Sequence, residues 1–100
     1  MTITGAGGVV IKRWRKSKRF HKEYCKLTNE LRDLVDGKLQ DLTTDPRPPG
    51  LAFEKLQGYA NPDVFTVHVT GNYKVSMEIL AGNIAFLRRV GNHDEIDRCP

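Results

Sequence analysis

The sequence predicts one α+β domain over residues 1–100, in the order β-αα-βββ: an N-terminal strand, a helical hairpin, and a three-stranded antiparallel meander. Three observations predict it. Apolar residues recur at steps of three and four from Phe20 to Leu42. A proline- and glycine-rich break, Asp45-Pro-Arg-Pro-Pro-Gly50, stops that pattern. Beyond it the period becomes two, around two Gly-Asn pairs.

The elements follow in order. Residues 1–8 are small and glycine-rich, and are expected to form a flexible start. Residues 9–14 read as a short strand, with Val9, Ile11 and Arg13 on one face and Val10, Lys12 and Trp14 on the other. From Ser17 a stripe of Phe20, Tyr24, Leu27, Leu31, Leu34, Val35, Leu39 and Leu42 marks an amphipathic helix. Ser17 is a suitable N-cap. The stripe is long, and Thr28-Asn29 can cap a second helix, so a hairpin is favoured over one bent helix.

Residues 51–58 read as a connection and Asn61-Pro62-Asp63 as a turn. Phe65, Val67 and Val69 then alternate with Thr66, His68 and Thr70. Gly71-Asn72 is a two-residue hairpin signal. Tyr73, Val75, Met77 and Ile79 alternate with Lys74, Ser76, Glu78 and Leu80. Gly82-Asn83 is a second such signal, and residues 84–90 form the third strand. Residues 92–95 read as a polar tail. Helices packed on one sheet face would cover Val67, Val69, Val75, Met77 and Ile79. Thr66, His68, Lys74, Ser76 and Glu78 would then share an open face.

Charge narrows the function classes. Residues 11–26 carry eight Lys and Arg against the single acid Glu23, whereas the whole chain is only +4. A patch that concentrated attracts polyanions. Lys12, Arg13, Lys16, Arg19 and Lys22 are its candidate polyanion contacts. No stretch approaches the roughly 20 continuous apolar residues of a membrane helix. The basic run follows the short apolar Val9-Val10-Ile11, the reverse of a secretory signal, so a cytoplasmic protein without a membrane partner is expected. Cys25 and Cys99 stand in no metal-ligand spacing and read as free thiols. There is no phosphate-binding glycine loop, no dinucleotide motif and no Ser/His/Asp signature, and neither metal nor cofactor is expected.

The remaining chemistry lies in His68, Lys74 and His93, with Tyr73, Arg89 and Asp94 near them in sequence. His68 and Lys74 flank the first hairpin turn symmetrically, so they should be neighbours on one face. Two imidazoles and an ammonium are the parts of ribonuclease chemistry. One group takes the 2′-hydroxyl proton, one protonates the leaving 5′ oxygen, and a cation stabilises the charged phosphorane. The plain structural alternative makes His68 a strand residue and His93 a loop residue.

The element order, with Lys55-Leu56-Gln57-Gly58, Phe65-Thr-Val-His-Val69, Asn72-Tyr73-Lys74-Val75 and Arg89-Val90-Gly91-Asn92-His93-Asp94-Glu95, resembles the RelE/ParE superfamily of bacterial toxins. The resemblance implies the toxin of a type II toxin–antitoxin pair, and for RelE-like members a ribosome-dependent mRNA endonuclease. It places the catalytic residues at His68, Lys74 and His93, with Tyr73, Arg89 and Asp94 contacting RNA. It implies as partners an antitoxin, the ribosome with its mRNA and, through the antitoxin complex, operator DNA. Lys74 stands where such toxins carry an arginine, and the usual C-terminal tyrosine is absent, so which group is the base stays open. The alternatives are a ParE-like gyrase inhibitor and a weakly toxic antitoxin-binding module.

Overall fold

The computed structural model describes residues 10–44, 52–56, 58 and 63–100. The expected flexible start at 1–8 and the proline break at 45–50 lie outside the described residues. The elements are β1 (Arg13–Lys16), α1 (Lys18–Cys25), α2 (Asn29–Thr43), β2 (Phe53–Lys55), β3 (Phe65–His68), β4 (Tyr73–Leu80), β5 (Ile84–Asn92) and α3 (His93–Arg98). The strands form one five-stranded sheet in the order β1-β5-β4-β3-β2. β1 pairs with β5 in parallel, and the other neighbours are antiparallel.

The helical hairpin forms where its caps predict. Ser17 Oγ accepts from the Phe20 amide at 3.0 Å and donates to the Arg88 carbonyl at 2.9 Å. Thr28 Oγ1 accepts from the Leu31 amide at 3.2 Å, starting α2 afresh. Ser17 therefore both caps α1 and ties it to β5. Ser17→Ala removes both contacts at once and is expected to cost about 1–2 kcal/mol, read from a urea melt.

The N-terminal strand lies later than its composition suggests. The expected span was 9–14, but pairing begins at Arg13↔Ile84 and runs to Lys16↔Leu87. Ile11 is buried and the Lys12 amide donates to the Asn83 carbonyl at 2.8 Å, so the chain joins the sheet only where β5 offers partners. Tertiary pairing, not the β-propensity of Val9-Val10-Ile11, places the strand.

The meander is present as β3-β4-β5, with both loops one residue longer than expected. Register partners Leu80↔Ile84 leave Ala81-Gly82-Asn83 between them. Gly82 (φ 83°) and Asn83 (φ 62°) are both left-handed, which suits these two residue types. In the first loop, Thr70 Oγ1 accepts from the Asn72 and Tyr73 amides at 3.1 and 3.2 Å. That hydroxyl organises a turn spanning Thr70-Gly71-Asn72.

Two elements exceed the expected order. β2 stands where a connection was expected; at three residues it is too short for alternation to show. α3 replaces the expected polar tail. Asn92 Oδ1 caps it by accepting from the Glu95 amide at 3.0 Å, and Ile96 is fully buried. α3 packs on β4 and β5 and closes the sheet face that was expected to be open. Thr66, Lys74 and Ser76 are accordingly buried along with Val67, Val75 and Met77, while His68 and Glu78 keep partial exposure. The main core joins Phe20, Val35, Leu39 and Leu42 of the hairpin to Val67, Val75, Met77 and Leu87 of the sheet. No helix among the described residues is long and apolar enough to cross a membrane.

Candidate functional site at the end of the meander

The first hairpin and the start of α3 converge at one end of the sheet. His68 and Lys74 are direct register partners across β3 and β4, neighbours as expected, but only because the loop holds three residues: a two-residue Gly71-Asn72 turn would set His68 opposite Val75. The His93 amide donates to the Asn72 carbonyl at 2.6 Å, which pins the start of α3 to the hairpin loop. The rings of His68 and His93 then lie 5.6 Å apart, centroid to centroid, with an interplanar angle of 33°. The three expected catalytic residues thus gather at one place. Beside them opens a hollow of about 530 Å³, lined by Gly71, Asn72, Tyr73, Asn92, His93 and Asp94. Tyr73 and Asp94 are both in its wall.

One carboxylate organises this cluster. Asp97 receives the Lys74 ammonium at 2.7 Å and faces His93 Nδ1 at 3.2 Å. Asp94 lies 3.6 Å from the same nitrogen. Nδ1 is thus the ring nitrogen of His93 that faces the carboxylates. The Lys74 side chain is only 8% exposed, that of His93 42%. The ammonium is thus buried, and the imidazole is the half-exposed group that lines the hollow. Asp97 was missed in the sequence because the tail was read as coil. Its i, i+4 spacing from His93, behind an Asn92 cap with Glu95 three residues on, was the available signal.

Burial holds the His68 pKa below the ordinary histidine value, and the charges of Lys74 and His93 lower it further. A neutral His68 near pH 7 is available to accept a proton. The same shift makes a stability prediction. The folded chain binds fewer protons at His68 than the unfolded chain does, so stability rises with pH across this titration. The contribution is fully present above pH 6.5, the unfolded value, and is lost as pH falls toward the folded value. His68→Gln should flatten that part of the stability curve, measured by urea melts between about pH 7 and pH 5.

Arg89 does not belong to this surface. It was expected to contact RNA, but its side chain is 9% exposed and turned inward. Nε and Nη2 bind the Glu23 carboxylate at 3.1 and 2.6 Å, and Nη1 donates to the Cys99 carbonyl at 2.9 Å. A β-bulge explains the direction. Ser76 pairs with Arg89 but Met77 with Leu87, so Arg88 is the extra residue and Arg89 shares the closed face with Ser76. Lys12, Arg13, Lys16, Arg19 and Lys22 are exposed, as expected of a polyanion surface. Lys16 and Lys22, with Ser17, Lys18 and His21, line a second hollow of about 510 Å³. Lys16 Nζ also lies over the Tyr24 ring, 5.3 Å from its centroid.

No family model and no curated protein sequence matches the chain. Solved structures do. It superposes on RelE of the archaeal RelE–RelB complex from Pyrococcus horikoshii with a TM-score of 0.63 at 15% identity, covering 83% of this chain and 94% of that one. The Methanococcus jannaschii RelB–RelE antitoxin–toxin complex gives 0.62 at 22% identity, covering 85% and 98%. A mutant of the Escherichia coli toxin RelE in the free state gives 0.61 at 18% identity, covering 91% and 100%. The fold is therefore RelE-like, as the sequence resemblance implied. At these identities the likeness speaks for the fold, and the chemistry has to be argued from the side chains.

Proposed function

We propose that the chain is the toxin of a type II toxin–antitoxin pair and that it cuts ribosome-bound mRNA by acid–base chemistry. The observation that carries this reading is the meeting of His68, His93 and Lys74 on a RelE-like scaffold, with His93 lining a hollow. His68, held neutral, is the group suited to take the 2′-hydroxyl proton. His93, half exposed at the hollow, is suited to protonate the leaving 5′ oxygen. Lys74 supplies the charge that a phosphorane requires. The exposed bases of β1 and α1 suit sequence-independent contact with ribosomal RNA. Structural neighbours that are RelE–RelB complexes support an antitoxin as the protein partner.

The test is to add the purified chain to programmed ribosomes and map the 5′ ends of the mRNA. Discrete cuts within codons, absent when ribosomes are omitted, are the expected result. Uncut mRNA together with inhibited DNA supercoiling would instead identify a ParE-like gyrase inhibitor. Activity in neither assay, with antitoxin binding retained, would identify a binding module.

A further inference from the structure

We infer that the Asp97 carboxylate occupies the seat of the substrate phosphate, and that the C-terminal helix so acts as an internal competitor for the site. The inference rests on the reading above, that this face handles a phosphodiester. Lys74 Nζ and His93 Nδ1 converge on the two oxygens of one carboxylate, at 2.7 and 3.2 Å. An ammonium and an imidazole converging on one point also suit an oxygen pair of a phosphate. While Asp97 is there, it offsets the charge of Lys74, and a phosphate approaching His93 gains little attraction from that ammonium. The same face holds a second sign of an unfilled role. Ser76 Oγ, two residues along β4 from Lys74, is buried and has no hydrogen-bond partner among the described residues. A buried hydroxyl without a partner costs free energy that a ligand oxygen or a water would recover.

α3 is built so that this contact can break. It has six residues, and Ile96 is its one buried side chain. The Asp97 side chain is 38% exposed, so it can turn to water while Ile96 stays docked. Opening then gives a phosphate access to Lys74, His93 and His68 together, and occupancy of the seat by Asp97 sets how often the site is ready.

The test uses inorganic phosphate as the probe at constant ionic strength, with the imidazole resonances of His68 and His93 as the readout. Asp97→Asn should tighten phosphate binding about tenfold over the unmodified chain, because it removes the competing charge while keeping the shape. Glu30→Gln removes the same unit of charge from the exposed start of α2, and should change binding less than about twofold through screened long-range attraction alone. Equal tightening in the two variants overturns the inference and leaves the catalytic reading standing. Imidazole resonances that phosphate does not move in any of the chains overturn both. Asp97→Ser, which also lacks the charge, provides the same comparison should the asparagine variant fail to fold.

Discussion

In His93→Ala, cleavage of ribosome-bound mRNA is expected to fall by about 10²–10⁴-fold, the usual contribution of a general acid or base. The fold should survive. The tie between α3 and the hairpin is a backbone bond from residue 93 to the Asn72 carbonyl, which alanine keeps. The lost side chain is 42% exposed and leaves no closed cavity. Lys74→Ala should lower cleavage by a comparable order, about 10²–10³-fold, by removing the one ammonium in the cluster. It is the less clean variant, because Lys74 is buried and its removal strips Asp97 of its closest partner. Growth arrest on expression gives the same comparison in cells. Full toxicity in both variants would refute the site, whereas loss in His93→Ala with a native melting curve would separate chemistry from folding.

The parts of this molecule that were legible in the sequence are those set by local periodicity. The alternation through Phe65, Val67 and Val69 and again through Val75 and Met77 placed two strands, while the pairing of His68 with Lys74 depends on a third loop residue that the Gly71-Asn72 signal did not show. Ser17 and Thr28 placed the helical hairpin through caps that need only the next three residues. What could not be read depends on contacts between distant segments. β1 lies where β5 accepts it. β2 is three residues long and exists because β3 is beside it. α3 buries only Ile96, a single apolar residue in a charged stretch, and no period can be drawn from one point. Missing α3 had the largest consequence, since that helix closes the second face of the sheet and brings Asp97 to Lys74 and His93. Arg89 was misplaced for a related reason. Charge in a sequence does not say which way a side chain points, and here a bulge at Arg88 sets the direction.

That direction yields a prediction about stability rather than binding. Arg89 joins three segments: β5, which carries it; α1, through Glu23; and the C-terminus, through the Cys99 carbonyl. Glu23 holds the guanidinium firmly charged, and its own Oε1 also accepts from the Val90 amide at 3.3 Å. Arg89→Ala would leave the Glu23 carboxylate without its main partner in a site where only 21% of its surface meets water. Breaking a buried pair in this way costs about 3–5 kcal/mol, and the residual access of water to Glu23 favours the lower end. For a domain of this size that is a fall in melting temperature of roughly 12 °C or more. Pairing Arg89→Met with Glu23→Gln should recover at least half of the loss, because no orphaned charge remains and the glutamine oxygen can still accept from Val90. Thermal melts of the single and double variants read this directly. An Arg89→Ala chain that melts within about 1 kcal/mol of the unmodified protein but binds RNA more weakly would return Arg89 to the RNA-binding surface. A large loss of stability, rescued in the double variant, would make it the joint that holds α1 and the C-terminus to the sheet.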